Sequence, residues 1–251
     1  MIRPRLCGKR RAAFIAALAL ASIMALGSCG RASDREPAAL TSPSWTVEML
    51  NLEPAEIAEY RGEKLTPRAS LRDNSIAGPQ YPDYGSYRLV ISGLVERRLS
   101  LSYEEVLAFQ KAEKLITLNC VEGWNAIMLW TGTLLSGLLD AAGADPAADT
   151  LIFVCLDGYE TTMETSHARE RNILLAWATN GLPLGPENGA PFQIAAEEKW
   201  GYKWAKWVRE IRVLREPGYQ GYWEKRGFSV SGFIGERYSA PIEERDDPKL
   251  Q

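Results

Sequence analysis

The chain has 251 residues, 46% hydrophobic and 24% charged, with a formal net charge of −3 at pH 7. This is ordinary globular composition, long enough for one large domain or two small ones around a substantial core. The acidic balance excludes a global basic field for nucleic acid, and a single histidine excludes a His-rich metal cage.

The chain opens with MIRPRLCGKRR, which carries Arg3, Arg5, Lys9, Arg10 and Arg11, followed by AAFIAALALASIMAL. A basic stretch, an apolar stretch too short and Ala-rich for a permanent span, and small residues before a cut site make a secretory signal. The Leu-Gly-Ser-Cys run ending at Cys29 resembles a bacterial lipobox. That resemblance implies a lipid anchor on Cys29 and an extracytoplasmic location, in the periplasm or cell envelope. The expected division is a signal over 1–28, a polar Pro/Ser/Ala-rich tether over 29–48, and one domain over 49–251. Only Cys120 and Cys155 fall in that domain. Two cysteines build neither a disulfide framework nor a four-cysteine zinc site, although an exported domain is able to pair them. No C-x-x-C-H offers a covalent haem.

Along the domain, YRLVISGLV (87–95) alternates as a strand with Tyr87, Leu89 and Ile91 on one face. SYEEVLAF (102–109) predicts a helix with a capping box, Ser102 as N-cap and Glu105 three residues on. KLITLNCV predicts a strand with Cys120 at or near its end. TLLSGLLDAAG (133–143) predicts a short amphipathic helix stopped by Gly143. TLIFVCLDG (150–158) reads as a buried strand and turn, with Cys155 in the core. SHARERNILLAWATNG (166–181) predicts a further helix, with His167 at its solvated start. GLPLGPENGAP reads as a loop, PFQIAAE and WVREIRVL as strands, and GYWEKRGFSVSGFIGERY as an aromatic, Gly-rich loop. Short helices among strands joined by long loops predict an α+β fold with mixed sheets.

Three stretches carry chemistry. Cys120 in NCVEGW offers a soft thiolate on a rigid strand end. NGAPFQ (188–193) contains Gly-x-Pro, which fixes a turn and lets backbone approach a ligand. WGYKWAKW (200–207) interleaves Lys203 and Lys206 with Trp200, Tyr202, Trp204 and Trp207, which suits a flat-ringed anion such as a phosphorylated pterin or nucleotide. Each has a bland alternative: a core cysteine, an ordinary loop, a buried aromatic stripe.

In series, CVEGW, DGY, NGLPL, NGAP and WGYKWAKW are similar to the molybdopterin-binding domain of the sulfite oxidase superfamily, over about residues 58–228. The resemblance implies an α+β domain of mixed sheets and a mononuclear molybdenum held by a pterin dithiolene and one protein cysteine, which Cys120 matches. It places Asn188, Gly201, Tyr202 and Lys203 at cofactor contacts. Arg72 and Asn74 fall where early contacts lie, and Asp157 and Tyr159 near the rim. Lys206 is added from charge and proximity. Gln193 departs from the pattern, since many members carry arginine there. Asn188 stands where sulfite oxidases carry histidine, and no dimerisation domain follows the last motif. These departures bring the chain nearer to the single-domain bacterial branch that includes periplasmic methionine sulfoxide reductase catalytic subunits.

The implied activity is oxygen-atom transfer to or from a small molecule of the sulfite, sulfoxide or N-oxide type. With no haem attachment or flavin motif in the chain, a separate electron-transfer partner is implied, which in the periplasmic reductases is a membrane haem subunit. Export of a cofactor-loaded domain implies the twin-arginine route. Arg10-Arg11 is present, with Phe14 one position later than usual. The competing readings are a cofactor-free binding or scaffold lipoprotein on the same fold and, with little support, a hydrolase, for which no G-x-S-x-G is present.

Overall fold

The computed structural model describes residues 55–236. The expected signal, Cys29, tether and domain start at residue 49 lie outside the described residues, as does the tail after 236. In chain order the elements are β1 (Glu59–Tyr60), β2 (Glu63–Lys64), β3 (Leu89–Gly93), β4 (Leu99–Leu101), α1 (Tyr103–Leu107), β5 (Lys111–Asn119), β6 (Asn125–Leu134) and α2 (Leu135–Ala142). They continue with β7 (Thr150–Cys155), β8 (Glu160–Glu164), α3 (Thr165–Glu170), β9 (Leu174–Thr179), β10 (Leu182–Pro183), β11 (Gln193–Ala195) and β12 (Val208–Leu214). Short 3-10 turns at Pro186–Asn188, Gly201–Lys203 and Glu224–Arg226 interrupt the long loops.

One five-stranded sheet runs β4-β3-β12-β7-β8, and a second runs β10-β9-β6-β5 with β11 also paired to β9. In the first, β12 is parallel to β3 and antiparallel to β7, so Ile211 lies beside both Ile91 and Phe153. The three side chains are fully buried in one continuous core. The α+β expectation holds: mixed sheets dominate and the helices are short.

Several local readings hold. Tyr87, Leu89 and Ile91 point inward together. Ser102 and Glu105 cap each other's backbone reciprocally at the start of α1. Helix α2 buries Leu135, Leu138, Leu139 and Ala142, the i, i+3, i+4, i+7 stripe, and ends at Gly143 in the left-handed region with φ 66°. Cys155 is a buried core thiol whose pKa is pushed well up by burial.

Others need correction. The helix expected over 166–181 stops at Glu170, and Leu174–Thr179 is a strand with every residue buried. Asn172 at φ 48° takes the chain out of the helix. Strand β9 is flanked by β6 on one edge and by β10 and β11 on the other. A strand covered on both faces loses its alternation and reads like a buried helix. His167 is not solvated: it is 7% exposed, with Nε2 3.1 Å from the Glu197 carbonyl and its ring edge-on to Phe233. Strands β6 and β8 have no counterpart in the sequence reading. The first is the ten-residue partner of β5, and the turn residues that precede it hide its start.

Candidate active site

Strand β5 delivers Cys120 to a cleft of about 610 Å³. A tight turn joins β5 to β6. The Cys120 N–H donates to the Trp124 carbonyl at 2.9 Å, and the Gly123 N–H donates to the Cys120 carbonyl at 3.1 Å. This holds Cys120 7% exposed on the cleft wall, with no disulfide to Cys155. Asn74 reaches the sulfur from the loop before β3, its Nδ2 3.6 Å from Sγ. Gly201 packs against the same strand end. A Cβ there would lie 3.3 Å from the Asn119 carbonyl oxygen and 3.5 Å from the Cys120 Cα, so a glycine lets the 3-10 turn sit close behind the thiol.

Most of the expected site residues meet at this cleft: Arg72, Asn74, Cys120, Asp157, Tyr159, Asn188, Gly201, Tyr202 and Lys206 all line it. Lys206 donates to the Glu187 carbonyl at 2.9 Å and lies 3.4 Å from Asp73 Oδ1. Burial pulls its pKa down, against the opposing pull of Asp73. Burial raises the carboxyl of Asp157, which accepts from the Tyr159 N–H at 3.0 Å. Asn188 is buried in its 3-10 turn, with Nδ2 3.3 Å from Glu187 Oε1.

Lys203 is the exception. It is 0% exposed and absent from the cleft wall. Its ammonium lies 2.5 Å from Glu224 Oε1 and 3.2 Å from Thr162 Oγ1. Its charge is spent on an internal carboxylate and is not turned toward the cleft. The interleaved WGYKWAKW therefore splits: Tyr202, Trp204, Lys206 and Trp207 face the cleft, and Lys203 faces away.

Sequence reading missed the contribution of Trp130, Trp223 and Phe228 to the wall. The last two sit in GYWEKRGFS, an aromatic, Gly-rich loop that belongs to the family resemblance but in which no residue is singled out for the site. Tyr202 ties this segment down by donating to the Ser229 carbonyl at 2.8 Å, and Tyr159 donates to the Tyr202 carbonyl.

The wall contains donors left unused among the described residues. Among these residues the Trp130 indole N–H is buried without a hydrogen-bond partner. The Gln193 carboxamide, 3% exposed and on the wall, makes no side-chain hydrogen bond among the described residues. Buried polar groups are ordinarily satisfied, so such groups on a cleft wall suit a polar ligand. Among the described residues no three His, Cys, Asp or Glu side chains converge as a metal cage. One thiolate, aromatic faces, amides and two cations instead fit a metal that arrives with most of its ligands on an organic, phosphorylated ring system.

The family model for the oxidoreductase molybdopterin binding domain matches residues 77–223. The chain belongs to this family. By that family the chain is an oxidoreductase whose cofactor is molybdopterin. The chain is 32% identical over 155 residues to the uncharacterized oxidoreductase YuiH of Bacillus subtilis, covering 61% of this chain and 78% of that protein. It is 32% identical over 151 residues to the putative protein-methionine-sulfoxide reductase subunit YedZ1 of Azospira oryzae, covering 60% and 57%. Against the protein-methionine-sulfoxide reductase catalytic subunit MsrP of Campylobacter jejuni it is 28% identical over 165 residues, covering 59% and 55%. It thus spans little more than half the length of these two reductase relatives. The sulfane dehydrogenase SoxCD of Paracoccus pantotrophus shares the fold, with a TM-score of 0.56 at 21% identity over 80% of this chain and 58% of that one.

Proposed function

We propose that the chain is an exported molybdopterin-dependent oxidoreductase that moves an oxygen atom to or from a small molecule at a mononuclear molybdenum ligated by Cys120. The observation that carries this is the presentation of Cys120. Its thiol sits on a strand end, in a cleft of about 610 Å³, with an amide donor on its sulfur and cations on the same wall. When bound, the cofactor supplies the two-electron redox chemistry that no protein side chain here provides.

The protein's own task is placement. Asn74 orients the Cys120 sulfur and stabilises its thiolate by donating to it. Arg72 and Lys206 supply positive charge for the cofactor's phosphate, and the unpartnered Trp130 indole N–H, with the Gln193 carboxamide on the same wall, offers hydrogen bonds to its ring system. Trp204 and Trp207 supply flat apolar walls that keep water from the reacting atoms.

Electrons enter or leave through a separate redox partner, a membrane haem protein in this reading. The lipid anchor expected on Cys29 would keep the domain beside it in the periplasm or cell envelope. Fusing residues 1–35 to a reporter active outside only when exported folded checks the route. An inactive fusion would count against twin-arginine export.

The deciding experiment is to purify the chain from a cofactor-making host, signal intact, and measure molybdenum per protein beside Cys120→Ser. The expected result is near-stoichiometric metal, with pterin released on denaturation and an altered metal optical spectrum in the variant. Well-folded wild-type protein without molybdenum or pterin would overturn the reading.

A further inference from the structure

We infer that the protein carries a second anion site, outside the cleft, in which Arg98 and Arg209 receive the phosphoryl group of a small molecule. The site is a concavity of about 430 Å³ where β3, β4 and β12 meet the loop before β3. It stands whatever occupies the cleft.

Three separate stretches bring cations to this wall. Arg88 comes from the loop before β3, Arg98 immediately precedes β4, and Arg209 lies in β12. All three are exposed. The ladder between β12 and β7 shifts register between Val208 and Glu210, so Arg209 is the extra residue of a bulge. A bulge re-aims a side chain out of the regular alternation, and the side chain re-aimed here is a guanidinium on the wall of a concavity.

The two carboxylates on the same wall are committed to other donors. Asp83 accepts from the Gly85 N–H at 3.2 Å and from Ser86 Oγ at 2.8 Å. Glu210 accepts from Ser92 Oγ at 2.8 Å and from Arg212 Nη2 at 3.1 Å, and the charge of Arg209 reaches it only through space. Arg88 is partly used, donating to the Gly85 and Tyr87 carbonyls at 3.2 and 2.6 Å. Arg98 and Arg209 make no hydrogen bond or ion pair among the described residues.

Two unengaged guanidinium forks suit a dianion with more than one oxygen edge. A phosphoryl group has both properties, whereas a carboxylate is filled by one fork. Tyr87, Val90 and Leu156 give the concavity an apolar part for the body that carries the anion. Neighbouring residues divide this concavity from the cleft. Leu156 lines the concavity and Asp157 the cleft, while Trp207 lines the cleft and Arg209 the concavity. The Leu156 N–H donates to the Trp207 carbonyl at 3.0 Å and ties the two segments at that boundary. A ligand here therefore bears on the strand ends that present Asp157 and Trp207.

The test titrates phenyl phosphate into the full-length protein at constant ionic strength, with sodium chloride as control, and reads binding by calorimetry. Arg98→Gln and Arg209→Gln are each expected to weaken the affinity about tenfold, with Tm in ligand-free buffer unchanged. Arg209→Lys keeps the charge and loses the fork, so its affinity should fall between wild type and Arg209→Gln. The difference between wild type and these variants reads the outer site whether or not the cleft is filled. Arg72→Gln, on the cleft wall, should leave that difference as it is. Identical titrations of wild type and the Arg98→Gln, Arg209→Gln double variant would overturn the inference, as would wild-type binding of phenyl phosphate no better than of chloride. Pelleting with phosphatidylglycerol vesicles separates the other source of phosphoryl groups. Vesicle binding that depends on Arg98 and Arg209, without phenyl phosphate binding, overturns the small-molecule site and makes this face a membrane contact.

Discussion

The ammonium of Lys203 lies 2.5 Å from Oε1 of Glu224, and both side chains are fully buried. Thr161 Oγ1 donates to the same carboxylate oxygen at 2.7 Å, and Lys203 reaches Thr162 Oγ1 at 3.2 Å. The pair joins the 3-10 turn behind Cys120 to the segment that carries Trp223 and Phe228 into the cleft. Burial pulls the Lys203 pKa down, while Glu224 opposes that pull. Removing one partner leaves an uncompensated buried charge, so Lys203→Met is expected to destabilise by about 3–5 kcal/mol. Lys203→Met with Glu224→Leu should recover much of that loss. Denaturant unfolding of the three proteins is the measurement, and equal losses in the single and double variants would remove the pair from this role.

Gly201→Ala places a methyl 3.3 Å from the Asn119 carbonyl oxygen. Strand end and turn must separate by a few tenths of an ångström, at a cost of about 1–3 kcal/mol. Because the shift falls on Cys120, metal retention should drop more than thermal stability does. Molybdenum content and Tm, measured on the same preparations, separate the two effects.

Gln193→Arg tests the neutral position on the wall. The Gln193 side chain is 3% exposed and has no hydrogen-bonded carboxylate beside it among the described residues, so a guanidinium placed there is buried without a counterion. The cofactor-free variant should lose roughly 1–3 kcal/mol. Phosphate or loaded cofactor should restore the loss by binding only the folded state. Thermal melts with and without inorganic phosphate read this, and a variant insensitive to phosphate would place the site's anion elsewhere.

His167 gives the fold an acid sensitivity. Burial, with the charge of Lys199, lowers its pKa below the ordinary 6.5, against the carboxylates of Glu164 and Glu198 and the bond to the Glu197 carbonyl. The unfolded chain therefore takes up this proton more readily than the folded one. Stability is complete above about 6.5 and declines as the pH falls from there through the lower folded value. His167→Gln should flatten that slope in a pH series of Tm measurements.

Where one face of an element is covered, its sequence is legible. Alternation marks β3, the i, i+3, i+4, i+7 stripe and Gly143 mark α2, and the capping box marks α1. Strand β9 reads as helix because Leu-Leu-Ala-Trp-Ala is locally a good helix sequence, and the neighbours that make it a strand are far away in the chain. Cys120 is singled out by its own chemistry, a soft thiol at a strand end, whereas Asn74 and Gly201 enter only through the family resemblance; the fold brings all three to one cleft wall. The direction of the Lys203 side chain is not legible, because a lysine among aromatics looks the same whether it faces a ligand or a carboxylate supplied twenty-one residues later.

Strand β12 lies between β3 and β7, yet it is the last described strand to leave the ribosome. Until Val208–Leu214 has been made, β3 and β7 have no shared neighbour, and their sheet stays open along two edges. Lys206 and Trp207, which belong to the cleft, are synthesised immediately before it. Pairing at such separation is slow and exposes unpaired edges while it waits. The domain therefore reaches a state able to accept a ligand only after Val208–Leu214 has been made, which makes the interval before that strand pairs the period in which it most needs protection from aggregation.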